Sequence, residues 1–597
     1  MALIEHTWNR RKTRIIATVG PGIRATPRLR ALIEAGVDVF RLNMSHGSYA
    51  SHGSAIRRIR GEADAAGRHT AILLDLPGPK IRLGEMQGGS VLLRVGAKIA
   101  IDSDVDRPGT RRRVAVNWPG LLAALDPGAR LLLDDGNIEL MIDSATPSKA
   151  WATVVRGGPL SSRKGVTLPG ATAGLTCLTD KDRKHLEFGI RAGVDWIAIS
   201  FVNEARDVRE VRRLVDAHGA NIPLLAKIET ALAVSNLASI LDAADGVMVA
   251  RGDLGIETPI QELPLVQKRI IRLARASAKP VVVATQILES MIEKAQPTRA
   301  EITDIANAVL DGADALMLSA ETAVGAHPVA AVTALATTAR RVESATPRYH
   351  PPKSGEVDAG RSASIEAFGI ATRAIARSMG AEAILAMTAS GRTAANLARF
   401  LPEAPVVAGV PEAAVARRLA VVRGVFPIVG PSSEDESSAI EMTIELAQKE
   451  GLIEAGDLLV ITAGLPIGEA VSTNTISVQI AGGFYLRGHG AGARRRARGR
   501  IVRLVRPQDG SAQEDLTGKI VLAKELTAEQ IRDLPGCSGA IAERGGAKSP
   551  AARACEETGV PAVIGVASAT EKLDEGTLVV LDTERGLVRV ARNDTPA

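Results

Sequence analysis

The chain has 597 residues and a formal net charge of +6, more length than one hydrophobic core supports, so several domains are expected. Hydrophobic residues at 46% and charged residues at 23% exclude a disordered chain, and no apolar run approaches the roughly 18 residues of a membrane span. The basic segment 1–14 lacks the apolar core of a secretory signal, and three scattered cysteines (Cys177, Cys537, Cys555) exclude a disulfide framework, so the cytoplasm is expected.

From the N-terminus, short β-branched runs alternate with helical segments. The runs are RIIATVG (14–20), VDVFRLN (37–43), AILLDL (71–76), WIAISF (196–201), LLAKIE (224–229), GVMVARG (246–252), PVVVAT (280–285) and ALMLSA (315–320). Eight buried parallel strands alternating with helices predict an α/β fold, a TIM (β/α)8 barrel. A doubly wound open sheet is the alternative, although it commonly has fewer strands.

One interval is too long for a single helix, since about 120 residues separate Leu76 from Trp196. Its alternating runs VLLRV, LLLDDGNIELMI and WATVVRG, broken by Gly, Pro and Asp, predict an inserted small β-barrel lid domain over the barrel mouth. The barrel is therefore assigned to 1–78 and 176–346, and the lid to 79–175. After the prolines Pro347, Pro351 and Pro352, α/β alternation resumes over 360–481. Arg494, Arg495, Arg496, Arg498, Arg500, Arg503 and Arg506 follow, with the nearest aromatic, Tyr485, upstream of them. Without interleaved aromatics they read as a solvated basic linker, 482–499, and not as a nucleic-acid-binding arm. A last α/β domain is expected over 500–597.

A TIM barrel builds its active site at the C-terminal ends of its strands. In strand order those ends carry Arg41, Asn43 and Ser45; Asp75; Lys227 and Glu229; Arg251, Gly252 and Asp253; Thr285; and Ser319 with Glu321. The spacing of two places Lys227 and Glu229 on the same, inward face. Two carboxylates can hold a hard divalent ion through oxygen. Lysine and arginine offset charge spreading over a transferring phosphoryl group.

The motifs RLNMSHG (41–47), GPKIR (78–82), SRKGVTLPG (162–170), AKIET (226–230), MVARGDLGIE (248–257), ATQILESMI (284–292) and PTRAEITDIANAVLDGADALMLSAETA (297–323) resemble those of the pyruvate kinase family. The resemblance spans 11–481, the tail apart. It implies transfer of the phosphoryl group of phosphoenolpyruvate to ADP, giving pyruvate and ATP, in a homotetramer without nucleic-acid or membrane partners. By the same resemblance Arg41 and Lys227 contact the phosphoryl group, and Glu229 and Asp253 bind Mg²⁺, or Mn²⁺ in its place. The amides of Gly252 and Asp253 receive the substrate carboxylate, Thr285 lies where the enolate is protonated, and Arg82 and Lys164 face the nucleotide phosphates. One departure is MLSAETA, with Ala320 where the family commonly has glycine.

The resemblance also bears on monovalent cations. Many family members hold K⁺ by Asn, Ser, Asp and Thr. Here Asn43, Ser45 and Asp75 remain, but Leu76 takes the threonine position and Lys80 stands where K⁺-dependent members carry glutamate. The family's K⁺-independent members share this pairing, so K⁺ is not expected to be required, with the Lys80 ammonium as its substitute. Thr388, Ser390, Gly391, Arg392 and Thr393 can form an anion nest or a plain helix cap; the resemblance implies a loop for a phosphorylated effector. The segment GGAKSPAARACEETGVPAVIGV (545–566) resembles the swivelling phosphohistidine domain of phosphoenolpyruvate-utilising enzymes, yet Pro550 follows Ser549 and no histidine occurs after Arg500. A phosphoenolpyruvate synthase or phosphotransferase-type enzyme, and a catalytically inactive metabolite sensor, stand as the alternatives.

Overall fold

The computed structural model describes residues 11–23, 25–170, 176–345, 363–430, 436–463, 474–504, 515–534 and 536–591. The proline-rich break with Pro347, Pro351 and Pro352 lies outside the described residues, as does Arg506.

Eight parallel strands close into a barrel: β1 (Arg14–Thr18), β2 (Val39–Asn43), β3 (Ala71–Leu76), β4 (Trp196–Ile199), β5 (Leu224–Ile228), β6 (Gly246–Ala250), β7 (Val281–Ala284) and β8 (Ala315–Leu318). The strand pleat divides each run between two cores. Ile16, Val39, Leu73, Ala198, Leu225, Met248, Val282 and Met317 fill the interior. Their alternates Ile15, Phe40, Leu74, Ile197, Ala226, Val247, Val283 and Leu316 pack against the surrounding helices. The same parity aims Thr18, Arg41, Asp75 and Lys227 inward, one step above the apolar layers.

The insertion leaves the barrel after β3. It forms a six-stranded sheet and a two-stranded sheet around its own core, which includes Ile99, Leu131, Leu140 and Val154. Its outgoing hinge contains Gly78, at φ 63°. A single buried carboxylate, Asp182, ties this hinge to the returning one: it accepts from the Gly78 amide at 3.3 Å and from the Thr179 amide at 2.9 Å.

The region expected to be a basic linker is not one. Gly483–Arg487, His489–Ala491 and Arg496–Arg503 are strands. They join the α/β domain and the tail into one sheet with thirteen strands among the described residues. The junction pairs Gly483–Arg487 with Leu587–Ala591, antiparallel. Arg494, Arg495, Arg496, Arg498, Arg500 and Arg503 are exposed, as expected, but two of them also hold distant acids. Arg496 pairs with Glu382 and, with Arg589, donates to the Gly380 carbonyl, while Arg498 pairs with Glu454. Arg589, 1% exposed, meets Glu382 at 2.5 Å and Asp582 at 3.4 Å. These acids are remote in sequence, so the run of arginines alone suggests solvent. No helix among the described residues is long and apolar enough to cross a membrane.

Candidate active site

At the barrel mouth the inward charged residues form a continuous chain. Arg41 Nε donates to Asp75 Oδ2 at 2.6 Å, and its Nη1 to Thr18 Oγ1 at 3.1 Å. Lys227 Nζ lies 3.5 Å from Asp75 Oδ1, 2.8 Å from Glu229 Oε1 and 2.6 Å from Ser200 Oγ. Glu229 Oε2 accepts from the Phe201 amide at 2.8 Å. β3 and β5 are separated by β4, and all three contribute, so barrel closure assembles the group.

Burial would lower the Lys227 ammonium, but the carboxylates of Asp75 and Glu229 outweigh it and hold its pKa above the ordinary lysine value. Burial would raise the Asp75 carboxyl, yet Lys227 and Arg41 keep it below the usual aspartate range. Glu229 is raised: burial exceeds the pull of Lys227, and Asp253 adds a like charge. Glu229 and Asp253 line one cleft beneath the lid with Lys80, Asp135 and Glu257. The pair is therefore short of positive charge on that side, which suits a divalent cation. Among the described residues no group of three or more metal-ligating His, Cys, Asp or Glu side chains converges. The chain would supply two carboxylates and leave the other positions to substrate and water, the coordination Mg²⁺ favours.

Thr285 and Gln286 follow β7 at φ 67° and 54°, a left-handed conformation that costs a β-branched residue energy. The Arg251 guanidinium clamps this turn: its Nε donates to the Thr285 carbonyl at 3.1 Å, its Nη2 to the Gln286 carbonyl at 3.0 Å, and its Nη1 to Asp304 at 2.6 Å. The turn brings Thr285 Oγ1 to within 2.8 Å of the Gly252 amide, which donates to it. The Gly252 amide, expected to be open for a carboxylate, is thus committed to Thr285.

Other expected residues sit apart from the charged chain. The Glu321 carboxylate is consumed by the amides of Leu288 and Ser319, at 3.1 and 2.7 Å, and serves the backbone of the loops around it. Arg82 and Lys164 are neighbours in the lid, where Arg82 bridges to Gly165; Arg82 donates to the Arg163 carbonyl at 3.0 Å and Lys164 pairs with Asp134 at 2.7 Å. Lys80 does not lie on Asp75, whose carboxylate Arg41 and Lys227 already occupy. It extends over the Phe201 ring, 5.8 Å from the centroid, at the rim of the cleft. Asn43 Oδ1 accepts from the Ser45 amide at 3.1 Å, and Leu76 is buried.

In the α/β domain the Thr388 hydroxyl accepts from the Gly391 amide at 3.0 Å, and Gly391 (φ 85°) caps the short helix Arg392–Ala398. Ser390 and Arg392 are exposed and 3.3 Å apart, and Thr393 is partly buried. Two residues of the mouth were not foreseen, Thr18 and Ser200. Each was visible as the inward hydroxyl at the end of an apolar run.

Comparison with known proteins agrees with this geometry. Residues 10–332 match the family model "Pyruvate kinase, barrel domain", 366–479 "Pyruvate kinase, alpha/beta domain", and 516–586 "PEP-utilising enzyme, mobile domain". Pyruvate kinase of Geobacillus stearothermophilus is 39% identical over 97% of this chain and 98% of its own. Pyruvate kinase 2 of Synechocystis sp. is 38% identical, covering 97% of both chains. The crystal structure of a pyruvate kinase from Cryptosporidium parvum superposes with a TM-score of 0.73 at 33% identity, covering 79% of this chain and 96% of that one. The inward chain of charges at a closed barrel mouth and this near full-length likeness have one reading: the chain belongs to the pyruvate kinase family.

Proposed function

We infer that this enzyme transfers the phosphoryl group of phosphoenolpyruvate to ADP, forming pyruvate and ATP in glycolysis. The observation that carries the reading is the buried chain Arg41–Asp75–Lys227–Glu229 at the barrel mouth. It offers two fixed cations to an anionic phosphoryl group and, beside them, a carboxylate pair for a divalent ion. Glu229 and Asp253 would hold Mg²⁺, or Mn²⁺, which when bound screens the phosphoryl and enolate oxygens.

Lys227 and Arg41 bind and orient the phosphoryl group. Lys227 is kept protonated by its two carboxylates, so it meets the growing charge as a full cation. Near the Gly252 and Asp253 amides, at the start of the helix Arg251–Glu257, the substrate carboxylate is received once Thr285 yields the Gly252 amide. Thr285 stands where the enolate gains its proton. Arg82 and Lys164 carry the nucleotide phosphates toward the cleft as the lid closes, Lys164 exchanging Asp134 for phosphate. In the other domains, the loop 388–393 would take a phosphorylated effector through the exposed Ser390 and Arg392. The assembly is proposed as a cytoplasmic homotetramer.

The tail has no histidine to carry a phosphoryl group, which disfavours a synthase or phosphotransferase-type cycle. The complete mouth disfavours an inactive sensor. Pyruvate formation from phosphoenolpyruvate and ADP, read through a coupled dehydrogenase, tests all three readings; no turnover with either divalent ion would refute this one.

A further inference from the structure

Ser200 is 1% exposed and follows β4 on the inward parity of Trp196 and Ala198. Its hydroxyl has one proton, which it donates to the Leu76 carbonyl at 2.7 Å. With that proton committed, Ser200 Oγ can only accept from Lys227 Nζ, at 2.6 Å. Leu76 is the last residue of β3, the point from which the chain departs into the lid. The next residue of the chain, Phe201, holds the other half of the ion pair, because its amide donates to Glu229 Oε2 at 2.8 Å.

The lid hinge leans on the same two residues. A Cβ on Gly78 would lie 3.2 Å from Ser200 Cβ, 3.1 Å from the Phe201 ring and 3.4 Å from the Cys177 carbonyl, on the segment returning from the lid. Gly78 is in turn fixed through its amide by Asp182, which also holds Thr179. Both crossings between lid and barrel therefore bear on the Ser200–Phe201 step, and that step holds Lys227 and Glu229.

We propose that Ser200 is a positioning residue for the phosphoryl transfer, fixing the direction of the Lys227 ammonium and tying it to the point where the lid leaves the barrel. The ammonium has three protons and three protein acceptors: Ser200, Glu229 and, more distantly, Asp75. A substrate oxygen takes over from the longest of these, while Ser200 keeps the nitrogen from following. Without that acceptor the ammonium swings toward Glu229 and Asp75, and its contact with the charge developing on the phosphoryl oxygens weakens. This role rests on the reaction assigned above.

The test is a cycle between Ser200→Ala and Lys227→Met in the full-length enzyme. Ser200→Ala is expected to lower kcat by about 10-fold or more, with KM for phosphoenolpyruvate and for ADP within about threefold. In the Lys227→Met background the same change is expected to cost less than about twofold, because Ser200 acts through the lysine. Ser200→Cys keeps the volume, replaces the oxygen by a weak sulfur acceptor and carries the same expectation should the alanine variant not fold. Loss of kcat by the same factor in both backgrounds, or a kcat within twofold of wild type for Ser200→Ala, overturns the role. A wild-type enzyme that forms no pyruvate overturns the assigned reaction instead.

Discussion

The barrel mouth and the C-terminal tail both concentrate arginines and carboxylates, and both match families that handle phosphoenolpyruvate, yet they use charge in opposite ways. At the mouth, Arg41 and Lys227 are joined through Asp75 to Glu229, which lines a cleft with Asp253, and the Glu229–Asp253 side remains short of positive charge. In the tail, Arg496, Arg585 and Arg589 are matched by Glu382 and Asp582 and spend their donors on Gly380 and Ser378 carbonyls. The first arrangement has charge left over for a ligand; the second is consumed in docking. Likeness to families that share a substrate thus gives no common chemistry, which lies in the side chains that remain uncommitted.

The comparison can be broken most severely at Lys227. Lys227→Met is expected to lower kcat about 10²-fold or more with little change in KM, as for a contact made in the transition state; a variant turning over near the wild-type rate contradicts it. Next comes the rim of the mouth. Leu76 offers no side-chain oxygen and Lys80 adds a fixed cation, so the wild type is predicted to be highly active without K⁺ or NH₄⁺. Lys80→Glu should lose several-fold in K⁺-free buffer, because the cleft already carries Glu229, Asp253, Asp135 and Glu257. Adding Leu76→Thr should return part of the loss in KCl. Wild-type stimulation of tenfold or more by K⁺ over tetramethylammonium, at constant ionic strength, rules this out.

A smaller effect is expected at the loop 388–393. If a sugar phosphate or AMP activates at low phosphoenolpyruvate, with a coupling of roughly 1–3 kcal/mol, Thr388→Ala with Ser390→Ala should remove the activation and leave the basal rate. An unchanged response would show the loop to be only a cap, as the Thr388–Gly391 bond allows. The smallest effect on chemistry belongs to the tail. Truncation after Gly488 is expected to keep kcat within about twofold while lowering the melting temperature, since the buried pairs of Arg589 are lost. Labelled phosphoenolpyruvate that leaves stoichiometric phosphate on the tail would contradict the docking reading.

The barrel was legible in the sequence because its strands are buried on both faces and appear as unbroken β-branched runs. The spacing of Lys227 and Glu229 was equally direct. Ser200 was not singled out, since one hydroxyl after an apolar run has many uses and only the fold shows Leu76 and Lys227 on either side of it. Lys80 is expected from the sequence as the substitute for K⁺ at the position of Asn43, Ser45, Asp75 and Leu76, but the hold of Arg41 and Lys227 on the Asp75 carboxylate depends on barrel register. The pairing of Arg496 and Arg498 is hidden for the same reason: Glu382 and Glu454 lie more than 40 residues upstream.

The sheet shared by the α/β domain and the tail has a consequence for self-association. Two separate sheets would present four open edges, each a row of unpaired amides and carbonyls that can recruit another strand. Pairing Gly483–Arg487 with Leu587–Ala591 removes two of them. The tail is then a cover as well as a domain, and a chain cut at Gly488 presents Gly483–Arg487 as a bare template for a second copy of itself.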